Sequence, residues 1–345
     1  MALLEIIDLK TIYKSERGDI RALDGVSFQI QKGSNFGLVG ESGCGKSTLL
    51  KTVVTCLPPN AVITGGQVFF KGMEITHLPS DALRQVLWKD ISMITQSAMN
   101  ALDPVYTVGD QIIEAIQTHE DVSTSEAKER VEEMFAFVGI DKERFLEYPH
   151  QFSGGMRQRA IIAMSLILKP SLLIADEPTT SLDVIVQDQI FKKIKTLQEN
   201  IPFSMFLVTH DIALVIENCE AIGVMYGGKL MELGDMDEVI SQSFHPYTMG
   251  LKNSFPNIRN RQSELISIPG VPPTLIGDLK GCRFYSRCPF PTEVCASEEP
   301  NMVSVGKNNS VACHHIQNVE VMRERTKKAD TWKQKAVLSV VGPRP

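Results

Sequence analysis

The stretch Phe36-Gly37-Leu38-Val39-Gly40-Glu41-Ser42-Gly43-Cys44-Gly45-Lys46-Ser47-Thr48 decides the fold. Its first four residues read as a buried strand, a glycine-rich turn follows, and Lys46 to Cys56 reads as a helix. Gly40 to Ser47 fits G-x-x-x-x-G-K-[ST] in the context that pattern requires, strand before and helix after. Glycines let the backbone curl around phosphate with its amides inward, and the helix start adds the positive end of its dipole. Lys46 is expected to reach the β and γ phosphates of a bound nucleotide, and the Ser47 hydroxyl to ligate Mg²⁺. The same helix terminus is expected to lower the pKa of Cys44, making it open to alkylation that ATP blocks.

Outward from this loop the pattern is α/β. Residues 26–30 read as a strand, a turn at Gly65-Gly66 precedes the strand QVFFKG, and a helix at 82–89 leads to a strand at 91–95. From 97 to 152 the spacing of Ile112, Ile113 and Ile116, then Val131, Met134, Phe135 and Val138, predicts a helical insertion with Thr124 or Ser125 as a cap. Strands return at 171–175 and 203–208, separated by a helix with Ile190, Ile194 and Leu197 on its apolar face. Such alternation favours a mostly parallel sheet. A hairpin follows, with Gly227-Gly228 between 221–226 and 229–233. Beyond Asp237 prolines accumulate and periodicity loosens, placing a domain boundary near 235–245.

The chain has 345 residues, 43% of them apolar, enough for two domains with real cores. Its formal net charge of −6 offers no electrostatic footprint for nucleic acid. No uncharged run reaches the about 18 residues of a membrane helix, since the most apolar segment, Ala160 to Ala175, is broken by Lys169 and Pro170. The acidic start MALLEIIDLK does not resemble a signal peptide, so the expected location is the cytosol.

A second half-site is legible at Ser171-Leu172-Leu173-Ile174-Ala175-Asp176-Glu177, an apolar strand ending in two carboxylates. Ligands of open α/β sheets bind at such strand ends. Asp176 suits the Mg²⁺ shell, and Glu177 suits the general base that positions the attacking water.

Phe152-Ser153-Gly154-Gly155-Met156-Arg157-Gln158-Arg159 resembles the signature motif of ABC transporter ATPases, with Met156 where Gln is usual. The resemblance implies a P-loop NTPase with a small antiparallel β layer, a helical subdomain at about 97–152 and an ATPase domain over 1–240. In that family two ATPases associate head to tail, and the signature of one, here Ser153, Gly154 and Gly155, closes over the nucleotide of the other. Gln96 resembles the glutamine that contacts Mg²⁺ or water, Ser181-Leu182-Asp183 the loop crossing the dimer interface, and His210 the switch histidine. Tyr13 resembles the aromatic that stacks on adenine, and Gly40 to Thr48 the phosphate loop.

The tail carries His245-Pro246-Tyr247, Ile268-Pro269-Gly270, Gly281-Cys282-Arg283-Phe284 and Arg287-Cys288-Pro289, which resemble the C-terminal extension of ATPases serving oligopeptide, dipeptide and nickel importers. The extension, 241–345, is expected to be irregular and to lack a substantial core. Its cysteines, Cys282, Cys288, Cys295 and Cys313, are spaced C-x5-C-x6-C-x17-C, wider than structural zinc sites usually are. Four thiolates can hold a [4Fe–4S] cluster, as members of that branch are known to do, or zinc, or remain unligated. Cys56 and Cys219 read as buried small hydrophobes.

The resemblance implies an ATP-hydrolysing importer subunit on the cytoplasmic face of the inner membrane. It would work with two transmembrane permeases, a second ATPase subunit and an extracytoplasmic binding protein. Nickel or another small solute is the alternative cargo. A non-transport ATPase acting as a conformational clamp is the rival class.

Overall fold

A computed structural model describes residues 1–95, 101–179, 184–254, 266–277 and 279–333. The strands are β1 (Ala2–Tyr13), β2 (Ile20–Gln31), β3 (Asn35–Val39), β4 (Ala61–Phe70), β5 (Met73–Glu74) and β6 (Ile91–Ile94). They continue as β7 (Leu172–Asp176), β8 (Ser204–Thr209), β9 (Ala221–Tyr226), β10 (Lys229–Asp235), β11 (Val303–Val305) and β12 (Asn309–Val311). The helices are α1 (Lys46–Val53), α2 (Ser80–Val86), α3 (Val108–His119), α4 (Thr124–Val138), α5 (Gly154–Leu166) and α6 (Val184–Asn200). After them come α7 (Ile212–Asn218), α8 (Met236–Ser241), α9 (Pro246–Asn253), α10 (Glu293–Ser297) and α11 (Val319–Thr326). The α/β class expected from the sequence is observed. The chain divides into two compact units.

The first unit comprises Met1–Leu3, Ile30–Asn35 and Phe70–Val208. Its strands β6, β7 and β8 run parallel, with Ile91 opposite Leu172 and Leu172 opposite Ser204. All five residues of β7 are buried, as the apolar run Leu172–Ala175 requires of a strand covered on both faces. The helical insertion forms α3, α4 and α5, with Ile112, Ile116, Val131 and Phe135 fully buried. The α4 cap is Ser123 rather than Thr124 or Ser125: its hydroxyl accepts the Glu126 amide at 3.2 Å. Ser123 to Glu126 is the S-x-x-E spacing of a capping box, and the cap is the last residue outside the helix, one position earlier than expected.

The second unit comprises Leu4–Gln29, Phe36–Phe69 and Thr209–Pro345. Here β3 pairs parallel with β9, and β10 pairs antiparallel with β9 across Gly227-Gly228. The expected turn at Gly65-Gly66 is absent, because β4 runs straight through both glycines. Gly66 has φ +81°, and a Cβ there would lie 2.3 Å from the Asp8 carbonyl oxygen. These glycines mark a close backbone approach, not a reversal.

The tail is largely irregular, as expected, but its short elements are anchored: it adds β12 to the free edge of β10, pairing Glu232 with Val311, and β11 to β12. Met249, Val319 and Met322 form a buried cluster with Phe244 and Phe290 against it. Trp332 is buried and donates its indole N–H to the Thr326 carbonyl at 3.1 Å. Contacts this distant in sequence leave no short-range pattern, so composition alone made the segment look loose.

Candidate functional site: a phosphate loop and a carboxylate strand end

In the second unit β3 runs into the loop and α1 follows. The α1 N-cap is Gly45, in the left-handed region, and no side chain caps the helix. The first amides of α1 therefore remain for an anion. A Cβ on Gly45, at φ +110°, would lie 2.4 Å from the Ala22 carbonyl oxygen, so only glycine makes this turn. Lys46 is buried, and its Nζ donates to the carbonyls of Gly40 at 2.6 Å and Glu41 at 3.0 Å. Ser47 is exposed at the helix start, and the Thr48 hydroxyl lies 3.3 Å from that of Tyr13. Cys44 overturns its expectation: it is buried, and burial pushes its thiol up against the opposing pull of Lys46. Desolvation outweighs the helix terminus there.

The tail reaches this loop. Within the His-Pro-Tyr segment His245 caps α9, its Nδ1 accepting the Tyr247 amide at 3.0 Å. Tyr247 is fully buried, and its hydroxyl accepts the Glu41 amide at 3.0 Å. Its ring packs on Tyr226 and Phe284 at centroid separations of 4.8 and 5.2 Å. Arg287 pairs with the Glu41 carboxylate at 2.7 Å. Burial pulls the Arg287 guanidinium down, and hydrogen bonds to Glu41 and Tyr226 more than offset it. Glu232 is fully buried and accepts the amides of Phe244 and His245 at 2.7 and 3.0 Å. None of Tyr226, Glu232, Tyr247 or Arg287 stood out as a site residue in the sequence. For Tyr247 and Arg287 a position inside the quoted tail motifs was the available signal; Tyr226 and Glu232 sit in the β9 and β10 strands and had none. His210 is exposed at the end of β8, where Asp211 caps α7 through the Ala213 amide at 2.8 Å.

In the first unit β7 ends at buried Asp176. Glu177 follows at φ +48°, a left-handed conformation costly for a residue with a Cβ, and its amide donates to the Val208 carbonyl at 2.8 Å. The Gln158 side chain donates to the Pro178 carbonyl, tying α5 to the turn that carries Glu177. Ser153 caps α5 by accepting the Met156 amide at 3.3 Å, leaving Gly154 and Gly155 at a helix start. Departure from Gln at Met156 does not disturb this cap, since only its backbone takes part. Gln96 and Ser181-Leu182-Asp183 lie outside the described residues. The first unit also holds a groove of about 800 Å³, lined by Trp88, Met93, Tyr106, Ala115, Ile161 and Met164 among others.

Among the described residues no group of three or more His, Cys, Asp or Glu side chains is gathered to hold a metal ion. No disulfide joins Cys282, Cys295 or Cys313. Burial, reinforced by nearby Cys313 and Cys295, pushes the Cys282 thiol up to about 11. Burial likewise raises Cys313 to about 11. Cys219 is buried as expected, but Cys56 is exposed. No helix among the described residues is long and apolar enough to cross a membrane.

A glycine loop over an uncapped helix start is the anion cradle of a P-loop ATPase, and residues 23–180 match the ABC transporter family. Solved structures agree on this class. A dimeric ATP-binding cassette, MJ0796, captured after hydrolysis with ADP and Pi, shares 26% identity at a TM-score of 0.62, over 68% of this chain and 98% of that one. The tail narrows the class further, because residues 231–295 match the C-terminal region of oligopeptide/dipeptide transporters. A probable peptide ABC transporter ATP-binding protein of Sinorhizobium fredii, y4tR, is 45% identical over 90% of this chain and 94% of its own length. The dipeptide transport ATP-binding protein DppD of Bacillus subtilis is 42% identical over 90% of this chain and 93% of its own. The oligopeptide transport ATP-binding protein OppD of Escherichia coli is 40% identical over 87% and 89%. The chain belongs to this family of peptide ABC transporter ATP-binding subunits.

Proposed function

We propose that the chain is the ATP-hydrolysing subunit of an importer for dipeptides or oligopeptides, peripheral on the cytoplasmic membrane face. Its partners are two permease subunits, a second ABC ATPase and an extracytoplasmic binding protein. Residues 1–240 form the ATPase domain, and 241–345 the extension that marks the peptide branch. The carrying observation is the combination of an uncapped α1 beneath the glycine loop with a tail matching oligopeptide/dipeptide transporters.

Gly40 to Thr48 cradle the phosphates of ATP, Lys46 sharing its donors between phosphate oxygens and the loop carbonyls, while Tyr13 stacks on adenine. Ser47, Gln96 and Asp176 offer the hard oxygen donors that Mg²⁺ prefers, and the ion when bound neutralises charge on the phosphates. Glu177 takes the proton of the attacking water, with Gln96 and His210 orienting it. Ser153, Gly154 and Gly155 contact the nucleotide of the second ATPase, and the groove beside Trp88 and Tyr106 receives a permease helix. In the assembled transporter, Glu177→Gln should leave ATP binding intact and lower turnover by about 10² to 10⁴. Normal turnover would remove Glu177 as the base.

A second reading concerns the tail: Cys282, Cys288, Cys295 and Cys313 hold a [4Fe–4S] cluster. Backbone amides two residues on donate to three of these sulfurs, Phe284 to Cys282, Phe290 to Cys288 and His315 to Cys313, opposing in part the burial that raises the thiols. When bound, the cluster supplies covalent ties across the tail. Anaerobically purified protein should carry iron and sulfide with broad visible absorption; colourless, iron-free protein removes this reading.

A further inference from the structure

Two sets of bonds hold the front of the phosphate loop. From inside, the Lys46 ammonium ties the carbonyls of Gly40 and Glu41. From outside, the Tyr247 hydroxyl accepts the Glu41 amide at 3.0 Å and Arg287 Nη1 binds its carboxylate at 2.7 Å. The inner set weakens when Lys46 turns to a triphosphate, because its three N–H donors are then shared between phosphate and the loop carbonyls. The outer set does not draw on Lys46 and keeps its bonds.

We propose that Arg287 and Tyr247 are positioning residues of the ATPase reaction, holding Glu41 so that the loop keeps its shape once Lys46 engages phosphate. This rests on the reading that Gly40 to Ser47 cradles the nucleotide. Arg287 is immobilised for such a task. Three of its other N–H groups donate to the carbonyls of Pro269 at 2.9 Å and Ile268 at 3.1 Å and to the Tyr226 hydroxyl at 3.2 Å. A planar fork fixed at three other points presents the donor that meets Glu41 in one direction. Tyr247 is fixed too, by its rings' contacts with Tyr226 and Phe284. Tyr226 ends β9, the strand paired with β3 up to Val39, one residue before the loop. Packing alone would need these side chains only for their bulk. Here two polar ends from separate tail segments converge on a single loop residue.

The test uses the full chain in its assembled transporter, measuring KM for ATP and kcat separately, with Lys46→Ala as control. Tyr247→Phe deletes one oxygen and keeps the ring, so the fold persists. It should raise KM for ATP about fivefold, the factor of one hydrogen bond, with kcat within about twofold. Glu41→Gln and Arg287→Met should each raise KM about tenfold and should not add when combined. Arg287→Lys should recover part of the loss, since an ammonium still pairs with Glu41. If Tyr247→Phe and Glu41→Gln keep the native KM and change only the melting temperature, the contacts are structural and the proposal fails. If Lys46→Ala still binds ATP normally, the nucleotide-site reading itself fails, a separate outcome.

Discussion

Lys46 holds the phosphate loop through bonds spanning six and five residues, whereas Arg287 and Tyr247 hold the same loop across 246 and 206. The first kind forms as soon as the loop does. The second exists only after a tail of several short elements has packed around Phe284. Damage to the loop, or to the two side chains that grip it, should therefore appear in nucleotide handling, and damage to the tail's packing around Phe284 should appear first in stability.

The sharpest way to break that contrast lies in the tail. Phe284 is fully buried against Tyr226, Tyr247 and His245, so Phe284→Ala should cost about 3–5 kcal/mol. Thermal unfolding that stays unchanged would mean the tail contributes no core. On the loop side, Gly45→Ala forces a Cβ against the Ala22 carbonyl at a positive φ. A displacement of about 1 Å in reacting groups costs on the order of 10²-fold, and ATP turnover should fall by that much, with the strained turn lowering the melting temperature less than Phe284→Ala does.

A pH measurement separates two tail groups that oppose each other. Burial pushes Glu232 from 4.5 up to about 7, so stability present below 4.5 is lost as pH rises toward 7. Burial pulls His245 from 6.5 down to about 3, so stability present above 6.5 is lost as pH falls toward 3. Between 4.5 and 6.5 the two slopes offset. Thr248, Arg323 and Lys252 also face Glu232, each favouring its ionised form or gaining from it. Glu232→Gln removes only the first slope. Its stability relative to the native chain should rise with pH by on the order of 3 kcal/mol across that window. Urea unfolding of both proteins at pH 5 and 7.5 decides it, parallel behaviour being the contrary result. The smallest effect belongs to a local bond: Ser123→Ala removes the α4 cap and should cost about 1 kcal/mol in chemical denaturation. A larger loss would place long-range contacts where the sequence shows only short ones.

These contrasts track what could be read beforehand. The strand, loop and helix at 36–53 were legible because every determinant lies within a few residues: apolar run, glycines, lysine, hydroxyl. The β7 strand and its two carboxylates were legible for the same reason. Errors arose where a residue's meaning depended on a distant partner. Gly65-Gly66 looked like a turn because Asp8, which crowds Gly66, is far away in sequence. Cys44 looked reactive because it stands at a helix start, while its burial depends on the whole unit.

Residue order was enough for the local features behind the ATPase reading: a glycine loop before a helix, two carboxylates at a strand end, a family signature with its serine cap. Those features are built from neighbouring residues, and spacing records neighbours. Only the folded chain decided that the tail extends the β10 edge and grips Glu41 with Arg287 and Tyr247. A hydrogen bond closing over two hundred residues imposes no period and no spacing, so nothing along the sequence announces it.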